Sequence, residues 1–154
     1  MRGAHLEGAD LMGAHLERAE LGAANLRDAR LMEALLKSAN LRNAHLENAE
    51  LGEAHLEGAD LMGAHLLDAH LEHADLEGAN LKGARLNGAN LERAFLLDAH
   101  LEQADLSGAR NLTQKQVDSA YGNLETKLPQ GKDIHVPEFW KKAATDAGIL
   151  TKLT

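Results

Sequence analysis

Nine histidines and 24 Asp+Glu are the side chains of this 154-residue chain that could hold a metal or move protons. Seven of the histidines (His5, His15, His45, His55, His65, His70, His100) stand between an alanine and a leucine, and only His73 and His135 do not. Imidazoles at a fixed spacing can share a divalent cation, or titrate as a group. Protonating all nine near the ordinary imidazole pKa of about 6.5 adds nine charges to the formal −8 and gives +1. Any function resting on negative charge should therefore fade below about pH 6. The rest of the composition turns away from catalysis. The absence of cysteine excludes a thiolate nucleophile, a thiolate metal site and a disulfide framework, and three serines offer little for a serine hydrolase. Carboxylates can be paired on an open face, but without a cleft to desolvate them they make no acid–base site. With four aromatics (Phe95, Tyr121, Phe139, Trp140) and an acidic balance, neither base stacking nor phosphate neutralisation is available for direct nucleic-acid binding. Imitation of nucleic acid stays open.

The scaffold that carries these residues is visible in the period of the sequence. Alanine occupies every fifth position from Ala4 to Ala109, 22 of 22, and leucine every fifth from Leu6 to Leu106, 21 of 21. Five fits neither the helical period nor strand alternation, and on an α-helix it would spread the leucines over every face. The 14 glycines also oppose a helix, each costing about 1 kcal/mol in a helix interior. A short extended segment plus a corner fits instead: Ala and Leu, two apart, share the inner side, and the three remaining positions, mostly polar, face water. Repeated corners wind a solenoid in which leucine stacks on leucine. No apolar run approaches the ~20 residues of a membrane span, and Met1-Arg2 leads into no signal-like segment. The expectation is a soluble cytoplasmic protein with no membrane contact.

Segments such as Ala59-Asp60-Leu61-Met62-Gly63, Ala74-Asp75-Leu76-Glu77-Gly78 and Ala79-Asn80-Leu81-Lys82-Gly83 resemble the A(D/N)LXX signature of pentapeptide-repeat proteins, over roughly two thirds of the chain. The resemblance implies an all-β solenoid, a right-handed quadrilateral β-helix with four pentapeptides per coil. Residues 1–110 would make about five coils at ~4.8 Å spacing, a rod on the order of 25 Å long. One of its four inner ladders is Leu6, Leu26, Leu46, Leu66, Leu86, Leu106, each buried leucine contributing about 2 kcal/mol.

After Ala109-Arg110 the period breaks, and residues 111–154 hold three of the four aromatics and both prolines. Thr113-Gln114-Lys115-Gln116 has capping-box spacing, so a short helix is expected from Gln114 to about Tyr121, stopping at Gly122. A loop should run from Leu124 to Val136, and a second helix from Pro137 or Glu138 to just before Gly148. Val117, Tyr121, Phe139 and Trp140 are expected to cover the last coil as a short α-helical C-terminal cap, with a dimer interface as the alternative. The first coil has no such cover, leaving Leu6, Leu11, Leu16 and Leu21 at an open end that invites self-association. A homodimer through that coil or through the C-terminal helix is therefore expected.

With 20 residues per coil, His45 and His65 fall in one column with Arg85 above them. Zinc requires a third protein ligand and Arg85 is none, so no metal or cofactor is expected and the slot reads as solvated. Residues 1–110 carry 10 Lys+Arg and 19 Asp+Glu, a net −9, while the tail is +1. Duplex DNA carries on the order of 15 charges over the same ~25 Å. Arg30, Arg42, Lys82, Arg85 and Arg93 interrupt that field. The Glu47 and Glu57 faces, and the outward apolar residues Phe95 and Leu97, are the candidate partner surfaces; Phe95 and Leu97 can equally be read as contacts of the folded-back tail.

Residues 4–16 recur identically at 54–66, and 66–72 at 96–102. These offsets place the copies on opposite faces, which fits copying in ten-residue units, by recent expansion or by consensus design, better than a preserved binding face. The functional expectation is a non-enzymatic structural or protein-interaction scaffold with an unknown protein partner or none, and with no biological activity if the chain is designed. The family resemblance supplies the alternative: an acidic DNA mimic that binds DNA gyrase or a related topoisomerase, inhibiting it or protecting it from quinolones.

Overall fold

The computed structural model describes residues 1–131 and 133–146. Parallel bridges join His5 to Asn25, Asn25 to His45 and so on in constant register to Asn90 with Arg110, always 20 residues apart. Four pentapeptides therefore complete one coil. Each side of the coil contributes a single bridge residue rather than an extended strand, because the corner consumes the rest of the repeat.

The repeat around Leu26 shows why five residues suffice. Asn25 N–H donates down to Ala4 O (2.8 Å), Leu26 N–H up to His45 O (2.7 Å), and Asp28 N–H up to Glu47 O (3.0 Å). Ala29 N–H closes the corner on Leu26 O (3.1 Å), and Arg27 N–H donates to the Asn25 side-chain Oδ1 (3.3 Å). All five backbone donors are satisfied, the condition for a backbone packed this tightly. The last bond accounts for Asp or Asn before the leucine: Asp60, Asp75, Asn80 and Asn90 each accept from the N–H two residues on, at 3.0–3.3 Å. The third corner residue is left-handed, at φ +62° in Gly58 but also at +56° in Asp28 and Glu53. A side chain there costs roughly 1 kcal/mol, offset by the corner and inter-coil bonds that the conformation makes.

From Leu21 to Ala109 every repeat leucine and alanine is at most 4% exposed, Leu26, Leu46, Leu66, Leu86 and Leu106 among them. Leu6, Leu11 and Leu16 are partly buried. Leu21 departs from the expected open end. It is fully buried, since Met1 takes the leucine position one coil below it and Gly3 N–H bonds Gly22 O at 2.9 Å.

The tail continues the stack before it departs from it. Tyr121 pairs in parallel with His100 and Lys127 with Asp105, so the ladder runs on at offsets of 21 and 22 residues. Helix α1, Gln114–Asp118, carries the capping box expected at Thr113. It ends three residues earlier than its sequence suggests, because Ser119, Ala120 and Tyr121 are drawn back to the ladder: Asp98 N–H donates to Ser119 O and Leu101 N–H to Tyr121 O. For the same reason Leu124 to Val136 is not all loop, Leu106 N–H reaching Lys127 O at 2.8 Å. Helix α2, Glu138–Asp146, starts at one of the two expected positions; its expected end just before Gly148 lies outside the described residues. Among the described residues no helix is long and apolar enough to cross a membrane.

Candidate functional site

Every outward slot repeats at coil spacing, so functional groups can meet only along columns or across one corner. The His45 and His65 rings stand in one column with centroids 4.7 Å apart, as the 20-residue period requires. A third group joins them. Glu47, two residues on from His45, places Oε1 3.2 Å from His45 Nδ1 and 3.5 Å from His65 Nδ1. Arg27, one coil below Glu47, sets Nη2 2.8 Å from His45 Nδ1 and 3.1 Å from Glu47 Oε1. Arg85 is next in the histidine column, bridged to His65.

The signal for Glu47 was present as His-Leu-Glu, which places the carboxylate across the corner from the imidazole. The same spacing gives His70 Nδ1–Glu72 Oε1 (3.0 Å), His100–Glu102 (3.2 Å) and His55–Glu57 (3.5 Å). Sequence reading along one column could not find it, because Glu47 belongs to the neighbouring column. Burial pushes the Glu47 carboxyl up, but its own backbone N–H, the His45 contact and the Arg27 charge outweigh burial and hold it below the usual range. Glu72 and Glu102 are likewise lowered against the effect of burial, with His70 and Asn90 beside the first and His100 and Lys82 beside the second. One oxygen each of Glu47, Glu57 and Glu102 is buried without a hydrogen-bond partner.

Glu47 and Glu57 are thus held against the rod, their side chains 16% and 26% exposed, rather than standing free as a partner-facing field. Other acidic groups are also paired: Arg30 with Asp10 (2.9 Å), Arg42 with Asp60 (3.0 Å), Lys82 with Glu102 (3.2 Å) and Lys127 with Asp105 (3.0 Å).

Phe95 and Leu97 stand 60% and 50% exposed on the wall of an open cleft of about 710 Å³ whose far side is α1 residues Lys115 and Gln116. Within the described residues the tail does not cover them. Of the four expected tail residues, Val117 and Trp140 are buried, whereas Tyr121 and Phe139 are 47% and 45% exposed. Tyr121 stacks on His100 with centroids 5.2 Å apart, because its place in the ladder turns its side chain to the outer column.

Comparison with known proteins places this architecture. The family model described as pentapeptide repeats matches residues 1–37, 29–68, 39–78 and 79–110. Among solved structures the chain is similar to HetL, a pentapeptide-repeat protein involved in heterocyst differentiation regulation from the cyanobacterium Nostoc sp. strain PCC 7120. That match has 32% identity and a TM-score of 0.54, over 88% of this chain and 68% of HetL. It also matches Rfr23 of the cyanobacterium Cyanothece 51142 at 33% identity, TM-score 0.28, over 68% of this chain and 63% of that one. A third match is QnrB1, a plasmid-mediated fluoroquinolone resistance protein, at 20% identity, TM-score 0.41, over 83% and 72%. The chain spans about two thirds of the length of the two cyanobacterial proteins. No curated protein sequence matches it. The 20-residue coil, its leucine and alanine interior, the family-model match and the likeness to HetL assign the chain to the pentapeptide-repeat family, whose fold is the right-handed β-helix.

Proposed function

We propose that this chain is a non-enzymatic interaction scaffold: a rigid rod closed by its tail, contacting a protein partner through the Phe95–Leu97 face. The observation that carries the reading is the contrast between the two sides of the chain. The interior is filled by leucine and alanine with no internal site, while Phe95 and Leu97 stand exposed beside α1, an apolar patch of the kind that marks contact surfaces. The tail acts as the cap, spending Leu112, Val117 and Trp140 on the last coil as solenoid ends require. Self-association through the partly buried Leu6, Leu11 and Leu16, or through α2, is one form such contact takes.

The test is a paired measurement on the wild-type chain and a Phe95→Asp/Leu97→Asp variant. Multi-angle light scattering across a concentration series and quantitative cross-linking capture should lose a specific complex in the variant while thermal unfolding stays unchanged. Equal capture by both chains would remove the assigned face.

The net −9 of residues 1–110 favours a second reading, DNA mimicry toward DNA gyrase or a related topoisomerase. A supercoiling assay with purified gyrase at low and physiological salt, at pH 7.5 and 6, decides it. Salt-sensitive inhibition that weakens at pH 6 supports mimicry; no effect at tens of micromolar removes it.

A further inference from the structure

We propose that His45, Glu47 and His65 form a three-ligand site for a divalent first-row transition cation, with Zn²⁺ as the reference ion. Among the described residues they are the one group of three metal-ligating side chains whose donor atoms all lie within 4.8 Å of one another. A tetrahedral ion with Zn–N and Zn–O bonds of about 2.0–2.2 Å has donor–donor edges of about 3.3–3.6 Å. The two edges at Glu47 Oε1 are 3.2 Å to His45 Nδ1 and 3.5 Å to His65 Nδ1. The third edge, between the His45 and His65 nitrogens, lies within 4.8 Å, and seating the ion draws these two rings together.

Three further observations bear on the site. Glu47 Oε2 is buried without a partner, an unmet acceptor that a bidentate or bridging contact would satisfy. A cavity of about 80 Å³, lined by Glu47, His65, Leu67, Arg85 and Asn87, has room for a water as fourth ligand. Arg27 already holds the place of a cation, Nη2 lying 2.8 Å from His45 Nδ1 and 3.1 Å from Glu47 Oε1. A guanidinium can only donate, so in the tautomer that pairs with Arg27 the His45 Nδ1 is the acceptor, the form whose lone pair a metal requires. The Arg27 side chain is 39% exposed, which gives it a route to solvent when an ion displaces it. Arg85 opposes the ion by charge from the coil above; the two imidazoles and the carboxylate outweigh it by direct bonds.

The experiment is titration of the chelator-treated full chain with CoCl₂ and ZnCl₂, following the visible absorption of bound Co²⁺ and the heat of Zn²⁺ binding. One equivalent of Co²⁺ should bind, and Zn²⁺ should displace it. Glu47→Gln and His65→Asn should each weaken binding at least about ten-fold, and Arg27→Gln should tighten it several-fold, since no guanidinium then has to leave. His70→Asn removes a histidine from another face and should leave the affinity unchanged. Asn already fills the same slot at Asn25, Asn40, Asn80 and Asn90, so both Asn variants should fold. Zn²⁺-induced shifts of the His45 and His65 ring nitrogens in the wild-type NMR spectrum read the site without any variant. Equal affinity in His65→Asn, an equal loss in His70→Asn, or no saturable binding by the wild type overturns the assignment.

Discussion

The Trp140 ring lies where a side chain on Gly122 would stand: a Cβ built at Gly122 falls 2.5 Å from Trp140 Cη2 and 2.6 Å from Cζ2. Gly122 follows Leu101 at the tail's offset of 21 residues, so the glycine vacates a ladder position and the indole fills it. Trp140 is 1% exposed, and its Nε1–H donates to Ala120 O at 3.0 Å. Gly122→Ala should force out this rigid ring and cost about 1–3 kcal/mol. Trp140 is the single tryptophan, so a red shift of its fluorescence, with the coil signal in circular dichroism retained, checks it.

Leu66 is 1% exposed at mid-rod, in contact with a core that cannot close around a void because coil spacing is fixed by backbone bonds. Leu66→Ala should cost about 2–5 kcal/mol, and Leu66→Asp should unfold the rod or divide it. Chemical denaturation and limited proteolysis distinguish the two variants; an Asp variant as stable as wild type would contradict the inward assignment.

The Asx bond across the corner gives a paired prediction. Asp75 Oδ1 accepts from Glu77 N–H at 3.0 Å, so Asp75→Ala should lose about 1 kcal/mol. His55 turns its Nδ1 toward Glu57 instead, so His55→Asn should gain several tenths of a kcal/mol by supplying the acceptor. Thermal unfolding of both variants should move in opposite directions.

Acid should weaken the junction between rod and tail. Burial pushes the Asp105 carboxyl up, but bonds from Ser107 and from Lys127 (3.0 Å) outweigh it and hold the group at about 2. A carboxyl depressed in the fold stabilises above its unfolded pKa of about 3.9, and that contribution is lost as pH falls from about 5 toward 2. It amounts to at most about 2 kcal/mol, and Asp105→Asn should flatten the stability profile over that window. Urea midpoints at several pH values for both chains measure the difference.

The repeat was enough to imply a coiled chain with an inward leucine face. An unbroken Ala-x-Leu pattern with period five leaves one side of the chain to bury, and the Asp or Asn before leucine satisfies the one corner N–H that stacking does not reach. His45 over His65 followed from the period once the family resemblance supplied four repeats per coil, the register the bridges have. Tertiary structure decided the contacts between columns and the path of the chain beyond the last repeat. Glu47 meets both imidazoles and Arg27 only because a corner brings two adjacent columns within 3.5 Å, a distance no single-column reading contains. The tail's offsets of 21 and 22, the early end of α1 and the seating of Trp140 over Gly122 depend on competition between local helix propensity and an open ladder edge. The edge wins at Ser119–Tyr121 because pairing there satisfies donors and acceptors of the last coil that a longer helix would leave bare.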